Sequence, residues 1–180
     1  SLMATDTRIF LGFQETINYA ETVNPFTLSG TTLTANNGGE VVGFYFDAQA
    51  TTDDFRFMSS TAGVADTTAL VQVGDKVKGL TRQATTKLGA LGVRAGITAT
   101  NSSWYIARVE VDPDGTARGY IGHTTHAYPL GLNLVATLAA GTIVVTSLLV
   151  PHLHLACHTT GDPTQSIDYI GATGNRDWTA

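Results

Sequence analysis

The stretch LVPHLHLACH, residues 149–158, holds three of the five histidines and the only cysteine of the chain. In an extended strand, residues two apart point to the same face, roughly 6–7 Å from each other. His152 and His154 therefore share a face, and His158 joins them if the strand runs that far. Two such imidazoles can chelate zinc, but a catalytic zinc needs a third protein ligand. His123 and His126 are the other imidazoles that a sheet could bring across. Spacing alone supplies neither that ligand nor the groups that must orient it. The pattern predicts a strand with a polar histidine face, either half-solvated or buried against a partner subunit. No metal is expected, and His152, His154 and His158 are the candidates if one binds. Cys157 falls on the opposite face with Leu153 and Leu155 and reads as a small core residue.

Carboxylates offer a second chemistry. Glu110 and Asp112 stand two apart in EVDPDG, the spacing in which one acid could attack and another protonate a glycosidic bond. Asp114, the next acid, lies in a Pro-Asp-Gly turn and cannot face the same sugar. Catalysis is not expected. Asp47, Asp53, Asp54 and Asp66 are oxygen donors of the kind calcium prefers, without a calcium-loop consensus around them. Calcium is the one cofactor left open.

Aromatic side chains are the remaining means of binding, because an exposed ring can stack on the apolar face of a sugar. Trp178 and Tyr128 are the candidate ligand-binding residues, and Trp104 is expected to alternate into the core.

These residues need strands to position them, and strands are what the chain spells. Strand patterns appear at 8–13, 25–35, 40–48, 53–60 and 68–73, with a strong turn at Asn36-Asn-Gly-Gly. The region 77–99 is the hardest to assign, although glycines at 79, 89, 92 and 96 argue against a long helix. The clearest unit is SWYIARVEVDPDGTARGYIGH, which predicts a hairpin turning at Asp112-Pro-Asp-Gly115. LVATLAAGTIVVTSLLVP reads as two strands joined at Ala140-Gly141, and PHLHLACH and SIDYIGAT complete about a dozen.

Composition agrees. Charged residues make up 14 % of the 180 residues, against about a quarter in ordinary globular domains. Glycine and threonine are abundant and strong helix formers scarce, which suits an all-β chain. A net charge of −5 with no basic run argues against nucleic acid as a partner. No unbroken apolar run of about 18 residues predicts a membrane span. A lone cysteine gives no disulfide framework. Ser1-Leu2 ahead of Met3 reads as a cloning scar, followed by a short arm to about residue 8 with no signal-peptide pattern. One domain, 1–180, is expected, made in a cytoplasm.

Three segments together resemble a family: GEVVGFYFDA with DDFRFMSSTAGVADTTALV, then the 103–123 hairpin, then LLVPHLHLACH with SIDYIGAT. They are similar to the concanavalin A-like (laminin-G or glucanase-like) jelly-roll domains of bacteriophage virion proteins, over about Gly39 to Thr173. The resemblance implies an all-β, two-sheet antiparallel jelly-roll sandwich with no enzymatic activity. The implied role is capsid decoration or cement, or a tail-appendage domain, located in the virion after synthesis in the bacterial host. Its implied partners are copies of itself, commonly as a trimer, and other virion proteins. A lectin-like module recognising a host-surface glycan is the alternative. A glycoside hydrolase comes third, because the glucanase Glu-x-Asp-x-Glu run is replaced here by Glu110, Asp112 and the turn residue Asp114.

Overall fold

The computed structural model describes residues 7–15, 25–29, 32–36, 39–50, 54–67, 70–74, 81–87, 92–97, 103–123, 132–144, 146, 148–157 and 171–173. In chain order the strands are β1 (Thr7–Gln14), β2 (Phe26–Ser29), β3 (Thr32–Ala35), β4 (Val41–Asp47), β5 (Arg56–Thr61), β6 (Val64–Ala65) and β7 (Leu70–Gly74). There follow β8 (Thr81–Lys87), β9 (Val93–Arg94), β10 (Tyr105–Val111), β11 (Ala117–His123), β12 (Asn133–Leu138) and β13 (Val150–Cys157). No helix occurs among the described residues.

One sheet runs β13-β1-β4-β5-β6, with β9 also paired to β5. A second runs β10-β11-β12-β7-β8, and β2-β3 form a separate hairpin. Every pairing is antiparallel. The two larger sheets face each other as a sandwich. Between them lie Ile9, Val42, Phe44, Phe46 and Phe57 from the first sheet and Ala117, Ile121, Val135, Ala136 and Leu138 from the second. Period-two alternation makes this possible: on β10 Tyr105, Ala107, Val109 and Val111 turn inward, and the residues between them turn out. The 103–123 hairpin forms as expected, with Gly115 at φ +80° and its N–H donating to the Asp112 carbonyl at 2.9 Å.

β4 breaks the alternation, being buried along its whole length. Val42, Phe44 and Phe46 enter the sandwich core, while Val41 and Tyr45 enter a second core with Phe10, Phe26 and Met58. That second core is roofed by the β2-β3 hairpin, whose Phe26 is fully buried.

Two expectations are corrected. PFTLSGTTLTA is two strands, paired antiparallel from Phe26↔Ala35 to Ser29↔Thr32. After Leu138 the turn at Ala140-Gly141 is present, but the described residues from Thr142 to Leu149 form no strand. The cause is a competing set of bonds. Gly141 N–H donates to the Asp114 carbonyl (2.7 Å) and Ile143 N–H to the Gly115 carbonyl (3.2 Å). Ile143 is buried in the sandwich core, while Val144 and Leu148 are exposed. The segment is thus pinned to the hairpin turn instead of to a sheet edge. In the 77–99 region the described residues hold β8 and β9. Most of the SIDYIGAT strand expectation lies outside the described residues, and Gly171–Thr173 are in no strand.

Candidate functional site

The histidine strand forms where expected, and its His152 and His154 are half-buried, in keeping with a half-solvated strand. β13 pairs with β1, placing His154 opposite Phe10 and His152 opposite Gly12. Directly paired residues share a face, so one row reads His154–Phe10–Tyr45–Arg56 and the next His152–Gly12–Gly43–Met58. The β2-β3 hairpin covers this face around Phe10, Tyr45 and Met58, while His152 and His154, beyond Phe10, are half-buried. Gly12 and Gly43 make room on this face. A Cβ on Gly12 would overlap the Val42 carbonyl oxygen and stand 2.9 Å from the Phe10 ring tip. With only hydrogens there, the Phe10 ring meets His152 edge-on, centroids 6.0 Å apart at 86°. Phe26 reaches Phe10 (6.0 Å) and Tyr45 (5.9 Å), and the two histidine rings stand 5.8 Å apart. His152 Nδ1 and His154 Nε2 are buried without a hydrogen-bond partner. Burial pushes both imidazoles below their ordinary value, and His154 is lowered further by the charge His152 would carry.

Leu153 and Leu155 turn to the sandwich core, as the alternation requires. His158, His126, Tyr128, Trp178 and Asp53 lie outside the described residues, as do the side chains of His123 and Cys157. Among the described residues, no three His, Cys, Asp or Glu side chains are grouped as a metal would need.

The described acids are held by protein donors. Asp47 accepts from the Tyr45 hydroxyl (2.6 Å) and the Gln49 N–H (2.9 Å), with Arg8 at 3.3 Å. Asp54 accepts from Arg94 Nε (2.9 Å) and from the N–H groups of Gly96 (3.2 Å) and Ile97 (2.9 Å), clamping the β9 segment to β5. Asp66 takes the Ser59 hydroxyl at 2.6 Å. Burial raises the Glu40 carboxyl, which accepts from Val144 N–H and the Thr61 hydroxyl, both at 3.4 Å.

Among the described residues, the outer face of the β10-β11 hairpin is exposed. Trp104, just before β10, is 52 % exposed and Ile106 is 42 % exposed. This corrects the expectation that Trp104 alternates inward: its parity matches Ile106 and Arg108, opposite to the buried-facing Tyr105 and Ala107. Past these two, the face carries a ladder of alternating charge. Arg108 pairs with Glu110 and lies over the Tyr120 ring, 5.9 Å from its centroid. Arg118 reaches Glu110 at 4.0 Å and Asp112 at 2.6 Å, and that bond to Asp112 holds its guanidinium above the ordinary value. Burial, and then Glu110, push the Tyr120 hydroxyl upward.

Two arginines and two carboxylates cancel, leaving a neutral strip with an apolar end. Glu110 and Asp112, the pair with hydrolase spacing, lie side by side along this face, each against an arginine. Asp114 sits in the turn as expected, where its carboxylate accepts the Thr116 N–H at 2.9 Å. Chemically this surface is equipped to adhere. Ile106, Arg108, Arg118 and Tyr120 were not singled out from the sequence. The even-numbered register of WYIARVEV carried the signal, once the odd register is known to face inward.

No family model, curated protein or solved structure matches the chain.

Proposed function

We propose that this chain is a non-enzymatic structural subunit of a bacteriophage particle, acting as a capsid decoration or cement protein or as a tail-appendage domain. In this reading the antiparallel sandwich is a concanavalin A-like jelly roll, with β1 and β13, the first and last of the described strands, side by side. The protein is made in the host cytoplasm, resides in the virion, self-associates symmetrically and contacts other virion proteins. No cofactor is invoked.

The observation that carries the reading is the outer face of β10-β11. It exposes Trp104 and Ile106 at one end and a charge-balanced arginine–carboxylate ladder beyond them. Buried aromatic and arginine side chains are the usual anchors of protein interfaces. A neutral strip suits another protein better than a polyanion, whose capture needs a net positive surface. The test is association: light scattering on the wild-type protein and on a Trp104→Ala/Ile106→Asp variant. A symmetric oligomer that the substitutions dissociate supports the reading, and a monomer in both cases counts against it.

Trp104 also favours a second reading, a glycan-binding module, because an exposed indole can stack on a pyranose ring. A glycan screen separates the two. Sugar binding that disappears in Trp104→Ala would establish the lectin reading.

A further inference from the structure

We infer that the outer face of β10-β11 docks on the same face of a second copy, about a two-fold axis that runs along the strands midway between β10 and β11. The inference rests on the self-association already proposed and adds the geometry of the contact.

The face is laid out in rows, because directly paired residues of two strands share a face. Ile106 stands beside Gly122, Arg108 beside Tyr120, and Glu110 beside Arg118. In a two-fold contact the pairing is reciprocal: if Glu110 of one copy meets Arg118 of the other, the reverse pair forms as well. Stacked sheets lie about 10 Å apart, a gap that arginine and glutamate side chains span from opposite sides.

The apolar end selects the axis. An axis across the strands would reverse one face on the other and lay Trp104 and Ile106 on the acidic turn end at Asp112 and Asp114. Carboxylates would then be buried against apolar groups, which is costly. An axis along the strands keeps each row on itself. Trp104 and Ile106 of both copies gather at one end, and Glu110 of each copy meets Arg118 of the other. Arg108 of each meets the Tyr120 ring of the other, the same contact these two residues make within one chain.

The side chains are placed to reach outward. The Arg108 side chain is 61 % exposed, and those of Glu110 and Arg118 are partly exposed. Glu110 holds Oε1 on Arg108 and keeps Oε2 4.0 Å from Arg118 of its own chain, at the outer limit of an ion pair. Arg118 stays on Asp112 through Nη1, and a guanidinium has further N–H groups to give. The chain as a whole carries −5, so two copies repel in most orientations. A strip on which two arginines balance two carboxylates lets them meet without net repulsion.

The test is sedimentation equilibrium on wild type, on Glu110→Arg, on Arg118→Glu and on an equimolar mixture of the two variants, with circular dichroism to confirm folding. Each single reversal sets like charges against each other in both reciprocal pairs and should weaken self-association at least about thirtyfold. In the mixture every reversed residue meets its opposite, so one copy of each variant should associate with wild-type strength. Reversals that leave the mass unchanged, or a mixture that stays monomeric, overturn the two-fold while leaving self-association itself standing. A wild-type monomer overturns both. If a reversal does not fold, Glu110→Gln and Arg118→Gln take its place; weakening by both supports the two-fold, and weakening by one or neither overturns it.

Discussion

The two outer faces of this sandwich obey the same period of two and end in opposite states. Behind β1, β4 and β5, the face is closed by the β2-β3 hairpin around Phe10, Phe26 and Tyr45, and beside it the half-buried His152 and His154 each keep one buried nitrogen. On β10 and β11 the face is open, with Trp104 and Ile106 exposed beside paired charges. The difference teaches that residue type does not decide which face is wet. The histidines are half-buried, while a tryptophan, the largest apolar side chain, stayed outside. What decides is the presence of a covering element. The β2-β3 hairpin supplies it for Phe10 and Tyr45.

Substitutions on the two faces should therefore differ in size and in kind. Largest is Phe10→Ala. It removes the ring shared by His152 and Phe26 and should cost about 3–5 kcal/mol in denaturant unfolding. A loss below about 1 kcal/mol would mean that the roof does not close. Next comes Gly12→Val, whose Cβ must displace the Val42 carbonyl and the Phe10 ring. A cost of about 1–3 kcal/mol or more is expected from unfolding of the purified variant.

How far these faces were legible from sequence can be said residue by residue. β1 and β4 could be read from their β-branched and aromatic residues, and β5 and the 103–123 hairpin from alternation and from Asp112-Pro-Asp-Gly115, because local chemistry fixes a tight turn. The His152–His154 spacing correctly gave a shared face. Their half-burial agrees with the half-solvated strand that this spacing predicts. Trp104 went astray. In WYIARVEV both registers contain large apolar residues, and only packing against β1 and β4 selects the one that turns in. TIVVTSLLV looked like a strand because it is β-branched, but backbone bonds from Gly141 and Ile143 to the hairpin turn took precedence.

Smaller effects sharpen the contrast. Arg118→Ala breaks the ladder at Asp112 and Glu110 and should cost at most about 1 kcal/mol, diminishing in high salt, since the pairs are partly exposed. A double-mutant cycle with Asp112→Ala measures it. Smallest on stability is Trp104→Ala, expected within about 0.5 kcal/mol of wild type, because the indole is half in water. A much larger cost would mean that Trp104 belongs to the fold and not to an outward contact.

The most direct measurement is the solution mass by light scattering, with and without a chelator, for wild type and for Trp104→Ala/Ile106→Asp. The wild-type protein is expected at a multiple of 18.9 kDa that the chelator does not change, and the variant at 18.9 kDa. A wild-type monomer, or a variant that keeps the wild-type mass, would contradict the assignment of the open β10-β11 face as the contact through which this protein assembles.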